Sequence, residues 1–108
     1  MRKDEVIAAL SALANEHRLA IFRLLVQAGP DGRAAGAIAD ALDMPASSLS
    51  FHLAHLTRTG LITQRRESRS LIYAADFGAM NKLVGFLSEN CCGGAACAPK
   101  PKSKRSAA

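Results

Sequence analysis

The sequence predicts a mainly α-helical domain with one small β-hairpin: four helices, the hairpin, then a fifth helix. Three observations predict it. Apolar residues recur at helical spacing in five separated segments. The period changes once, between residues 61 and 74, where β-branched and aromatic residues flank a polar turn. The composition is 49% hydrophobic but only 5% aromatic, with no Trp, which suits helices packed through Ala, Leu, Ile and Val. A chain of 108 residues buries one compact core, and one this short readily completes that core on a partner's surface.

Val6, Ile7, Leu10, Leu13 and Ala14 place a first helix over about residues 3–13. Asn15 is an N-cap for a second over Glu16–Ala28, because its short polar side chain can accept from the first backbone amides. Ile21, Leu24, Leu25 and Ala28 form one face of that helix, with Leu19, Phe22 and Val26 beside it. So broad an apolar surface marks a central helix. Gly29-Pro30-Asp31-Gly32 stops it. Ala35, Ile38, Ala39 and Leu42 make a short third helix over 35–42. After Asp43-Met44-Pro45, the Leu49, Leu53 and Leu56 stripe makes a fourth over about 46–59, closed by Gly60. Leu61–Arg66 and Ser70–Ala74 are the two strands, joined through Glu67-Ser68-Arg69. Asp76 caps the fifth helix, whose inner face is expected to carry Phe77, Met80, Leu83, Val84 and Leu87 and whose end is expected at Gly93-Gly94. Residues 1–90 thus form one domain, 91–97 a cysteine segment, and 98–108 a basic tail too polar to build a core.

Two short helices followed by an arginine-bearing hairpin make a winged helix-turn-helix. Its second helix must bury one face and offer a small polar one to the major groove. Leu49, Leu53 and Leu56 point inward, while Ser47, Ser50, Phe51 and Ala54 point outward, with Ser48 near the helix start. Serine hydroxyls donate to phosphates or base edges. An outward Phe51 suits a thymine methyl, or else packs against the wing. His55 faces outward toward phosphate. His52 reads as a half-buried residue on the flank of the stripe, and His17 as structural. Arg65, Arg66 and Arg69 flank the hairpin turn, where they can meet the DNA backbone or minor groove. Charge follows the same map. Residues 44–75 carry four arginines against Glu67 and the last eleven carry four basic residues, so most of the net +5 is local to these two stretches.

Cys91, Cys92 and Cys97 are the three cysteines of the chain, and they fall within seven residues. An odd count with two neighbours does not make a disulfide framework. Together with no secretory signal pattern and no apolar run near 20 residues, it points to a cytoplasmic protein with reduced thiols and no membrane partner. Thiolates are soft ligands. Trivalent arsenic and antimony are three-coordinate and pyramidal, so three sulfurs match them in number. Cadmium, lead and thiol oxidation are the alternatives. Zinc needs a fourth ligand, and no His follows position 55. A thiol enzyme is disfavoured: there is no Cys-x-x-Cys and no Cys-x5-Arg loop.

Leu13-Ala14-Asn15-Glu16-His17-Arg18-Leu19-Ala20-Ile21 resembles the opening of the second helix in the ArsR/SmtB family of metalloregulatory repressors. Ser47-Ser48-Leu49-Ser50-Phe51-His52-Leu53, with Leu56 and Gly60-Leu61-Ile62, resembles that family's recognition helix and the start of its wing. The resemblance covers about residues 3–89. It implies a homodimer joined through the first and fifth helices, bound to operator DNA. The Cys-x-Cys of the best-known arsenic-responsive members has no counterpart here, since Ala34–Asp40 contains no cysteine. Asn90-Cys91-Cys92-Gly93-Gly94 instead resembles a subset of arsenic repressors whose cysteine triplet follows the fifth helix. The expectation is a dimeric repressor released from DNA when As(III) or Sb(III) binds Cys91, Cys92 and Cys97.

Overall fold

The computed structural model describes residues 1–94, so Cys97 and the basic tail 98–108 lie outside the described residues. Five helices and a three-stranded antiparallel sheet form it: α1 (Lys3–Leu13), α2 (Glu16–Ala28), β1 (Arg33–Ala34), α3 (Ala35–Leu42), α4 (Ala46–Arg58), β2 (Ile62–Glu67), β3 (Ser70–Ala75) and α5 (Phe77–Leu87). This is a winged helix-turn-helix.

Local chemistry sets the boundaries. The Asn15 side chain accepts from the backbone N–H of His17 and Arg18, both at 3.0 Å, which separates α1 from α2. The Arg18 guanidinium then donates to the Ala12 carbonyl at 2.7 Å, bracing the corner. Asp43, in the left-handed region at φ 51°, closes α3 and turns the chain toward α4. Pro45 precedes α4 with an extended φ/ψ. Asp76 caps α5 by accepting from the Ala79 N–H at 3.0 Å.

The core forms around α2. Its Ile21, Phe22 and Leu25 meet Val6, Ala9 and Ala12 of α1, Ile38 of α3, Leu49, Leu53 and Leu56 of α4, Tyr73 of β3 and Leu83 of α5. The sheet runs in the order β1-β3-β2. β2 and β3 form the hairpin, with Ile62 opposite Ala75 and Glu67 opposite Ser70.

Three features differ from the sequence reading. First, the hairpin gains a third strand. Arg33 and Ala34 pair with Tyr73 and Ile72, and a Cβ at Gly32 (φ +72°) would run into the Tyr73 carbonyl, so the pairing needs glycine there. Second, Val84 and Leu87 do not face the core of this chain; they are 57% and 61% exposed. Third, α5 stops at Leu87, well before Gly93-Gly94. Beyond Ser88 the backbone leaves the helical path: the Glu89 N–H reaches back only to the Phe86 carbonyl, at 3.3 Å, and Asn90 takes the left-handed φ of 55°.

Candidate nucleic-acid interface and thiol segment

The three leucines of α4 are at most 2% exposed, which fixes the opposite face toward solvent. That face carries Ser47, Ser48, Ser50 and Ala54, all exposed, and Phe51, which is 67% exposed. Phe51 therefore does not pack on the wing. Its ring meets His52 edge-on, at 5.7 Å between centroids.

His55 is half-buried. Burial first, then the Arg18 and Arg58 charges, lowers its pKa from 6.5. His52 is lowered by burial, then by Arg18, His17 and His55. Both imidazoles are therefore held toward neutrality, and each can donate one N–H to an anion without carrying a full charge.

The wing arginines separate into two roles. Side chains alternate along a strand, so Arg65 and Arg66 leave β2 on opposite faces. Arg65 is occupied within the molecule: it pairs with Glu67 at 2.7 Å and donates to the Asp31 carbonyl at 2.9 Å. It ties the wing to the turn after α2. Arg66 shares its face of β2 with Gln64, and it is exposed and outside the ion pairs among the described residues. Arg69 stands at the hairpin turn beside a groove whose other wall is Ala34, Ala35 and Gly36, where α3 begins with no side-chain cap. Between α4 and the wing runs a second groove of about 250 Å³, lined by Ser50, Ala54, Thr57, Arg58, Gln64 and Tyr73. Thr57, Arg58 and Gln64 were missed in the sequence. The helical spacing from Ser50 through Ala54 to Arg58 was the signal that could have found Arg58.

Cys91 and Cys92 lie on a single turn, Cys91–Gly94, directly behind α5. Both are exposed. The Cys91 N–H donates to the Ser88 carbonyl at 3.0 Å, attaching the turn to the helix end. Cys92 takes φ 59° and Gly93 φ 66°. The two sulfurs thus belong to a separate turn and do not extend the helix itself. The third expected sulfur, Cys97, is outside the described residues, and among those described no three His, Cys, Asp or Glu side chains converge on one point.

A helix-turn-helix domain family matches residues 13–65. The nodulation protein NolR of Rhizobium meliloti is 37% identical over 89 residues, covering 81% of this chain and 70% of NolR. The transcriptional activator HlyU of Vibrio cholerae is 30% identical over 88 residues, covering 82% of this chain and 79% of HlyU. Among solved structures, a homodimeric winged helix-turn-helix domain from Mycobacterium bovis, described as a possible ArsR-family transcriptional regulator, superposes with a TM-score of 0.64 at 31% identity, covering 89% of each chain. An ArsR-like transcriptional regulator from a Rhodococcus species gives a TM-score of 0.70 at 26% identity, covering 79% of this chain and 77% of that one.

Proposed function

The chain belongs to the ArsR-type winged helix-turn-helix transcriptional regulators, and from that premise we propose that it is a dimeric repressor whose operator affinity falls when trivalent arsenic or antimony binds Cys91, Cys92 and Cys97. It is a regulator and not an enzyme. Among the described residues no helix is long and apolar enough to cross a membrane.

The DNA-bound state follows from the surfaces above. α4 enters the major groove with Ser47, Ser48, Ser50 and Phe51 toward the bases, and the Phe51 ring meets a thymine methyl. His55, Arg66 and Arg69 reach phosphates at the flanks. Arg65 holds the wing in the position from which Arg66 works. Dimerisation covers the apolar strip of α1 and α5, where Ile7, Leu10, Val84 and Leu87 are between 39% and 61% exposed. Among the described residues, and outside its own helix backbone and chain neighbours, nothing lies within 4 Å of a Cβ placed on Gly85, so that point of α5 is open to close approach by a second subunit.

The single observation that carries the sensor is the pair of exposed neighbouring thiols on a turn pinned to the end of α5. Arsenous acid and three thiols give one pyramidal trithiolate and three waters, with no change of oxidation state. Closing that ring draws the turn and Cys97 together just past Leu87 and Ser88. Because α5 is half of the proposed dimer seam, a change at its end alters how the two α4 helices are spaced. Coupling of about 1–3 kcal/mol is ordinary for such linkage and lowers DNA affinity roughly 5–150-fold. The test is a titration of the fully reduced protein with arsenite, antimonite, cadmium and zinc, counting reactive thiols. Three thiols should be protected per arsenite. Protection of two or fewer, or tighter binding of zinc than of arsenite, contradicts the assignment.

A further inference from the structure

At the helix-turn-helix corner is a cleft of about 170 Å³ walled by His17, Leu42, Asp43, Met44, Pro45, Ser48 and His52. Three parts of the fold meet there: the start of α2, the turn between α3 and α4, and the flank of α4. The His17 and His52 rings meet tilted by 31°, with centroids 5.6 Å apart. Among the described residues His52 Nδ1 is buried and has no hydrogen-bond partner, an unusual state for a polar atom that costs stability unless something meets it. Imidazole nitrogens sit about 2.0–2.1 Å from a bound ion, which places two ligating ring centres about 5–6 Å apart. The two histidines already hold that spacing.

We propose that this cleft binds one soft monovalent metal ion, Cu(I), through the imidazoles of His17 and His52 and the thioether of Met44. The donor set selects the ion class. Two imidazoles and a thioether suit Cu(I), which accepts two or three soft ligands; a thioether is a poor ligand for hard divalent cations. The site is independent of the cysteine segment. An ion held there ties the recognition helix and its turn to the central helix of the core.

The test removes the thiols first. A full-length Cys91→Ser, Cys92→Ser, Cys97→Ser variant is titrated anaerobically with Cu(I) against a chromophoric Cu(I) chelator, and histidine side-chain resonances are followed by NMR. The expected result is one Cu(I) per chain, with the His17 and His52 signals shifting together. His17→Gln, at an exposed position, should weaken binding at least tenfold, and Met44→Leu several-fold. Failure of the thiol-free protein to compete for Cu(I), or equal binding by His17→Gln, overturns the proposal. Either result leaves the arsenic reading untouched, because the two sites share no residue.

Discussion

The recognition helix and the cysteine turn are held by opposite means. α4 is anchored by three leucines at 2% exposure or less, from both ends of the helix, and its outer face has no freedom to choose another direction. The turn Cys91–Gly94 buries nothing. The Cys91 N–H donates to the Ser88 carbonyl, which ties the turn to the end of α5. A reading surface must be in place before DNA arrives, since ordering it on arrival subtracts from affinity. A ligand-collecting segment gains from the reverse, because it can rearrange around an ion without breaking a core. On the proposed function, the contrast explains why one chain would carry both.

The largest effect is expected at the turn. Cys92→Ser should abolish the arsenite response of operator binding while apo affinity stays the same, read by fluorescence polarisation. An intact response would mean that the turn is not the collecting segment. Next is the anchor. Leu53→Ala removes a buried side chain at the centre of α4 and should cost about 2–5 kcal/mol, seen in denaturant unfolding. A loss below about 1 kcal/mol would show that α4 is not held as described. Between these regions stand the wing arginines. Arg66→Ala and Arg69→Ala should each reduce the salt dependence of DNA affinity by about one unit of log–log slope. Arg65→Ala should weaken binding with the slope unchanged, because it acts on wing position.

The seam gives a smaller effect of informative sign. Gly85→Ala in a lone helix stabilises by about 1 kcal/mol. If a second subunit closes on Gly85, the same change should weaken the dimer in sedimentation equilibrium. The smallest effect concerns pH. His52 and His55 are both depressed below 6.5, so the unfolded chain takes up protons before the folded one does. Stability should therefore be full above about pH 6.5 and fall as pH drops below it, down to the folded pKa values. His52→Gln should flatten part of that decline in a melting series.

Much of this was legible because it depends on local chemistry. Asn15 and Asp76 announce caps, and each accepts the backbone amides expected of it. Leu49, Leu53 and Leu56 announce which face of α4 is hidden, and so which face is left to solvent. What was not legible depends on distant partners. β1 is two residues long, and only pairing with β3 makes it a strand. Val84 and Leu87 continue the stripe of Leu83, and periodicity records that a face is apolar without saying whose atoms cover it. Arg65 and Arg66 are neighbours of one residue type, and only the Asp31 carbonyl across the fold separates their roles.

The measurement that bears most directly on the proposed sensor is a polarisation titration of labelled operator with reduced full-length protein, with and without arsenite at moderate salt. The account predicts a shift of the binding curve to at least fivefold higher protein concentration, reversed when a dithiol strips the arsenic. Superimposable curves, with three thiols shown to be occupied, would contradict it.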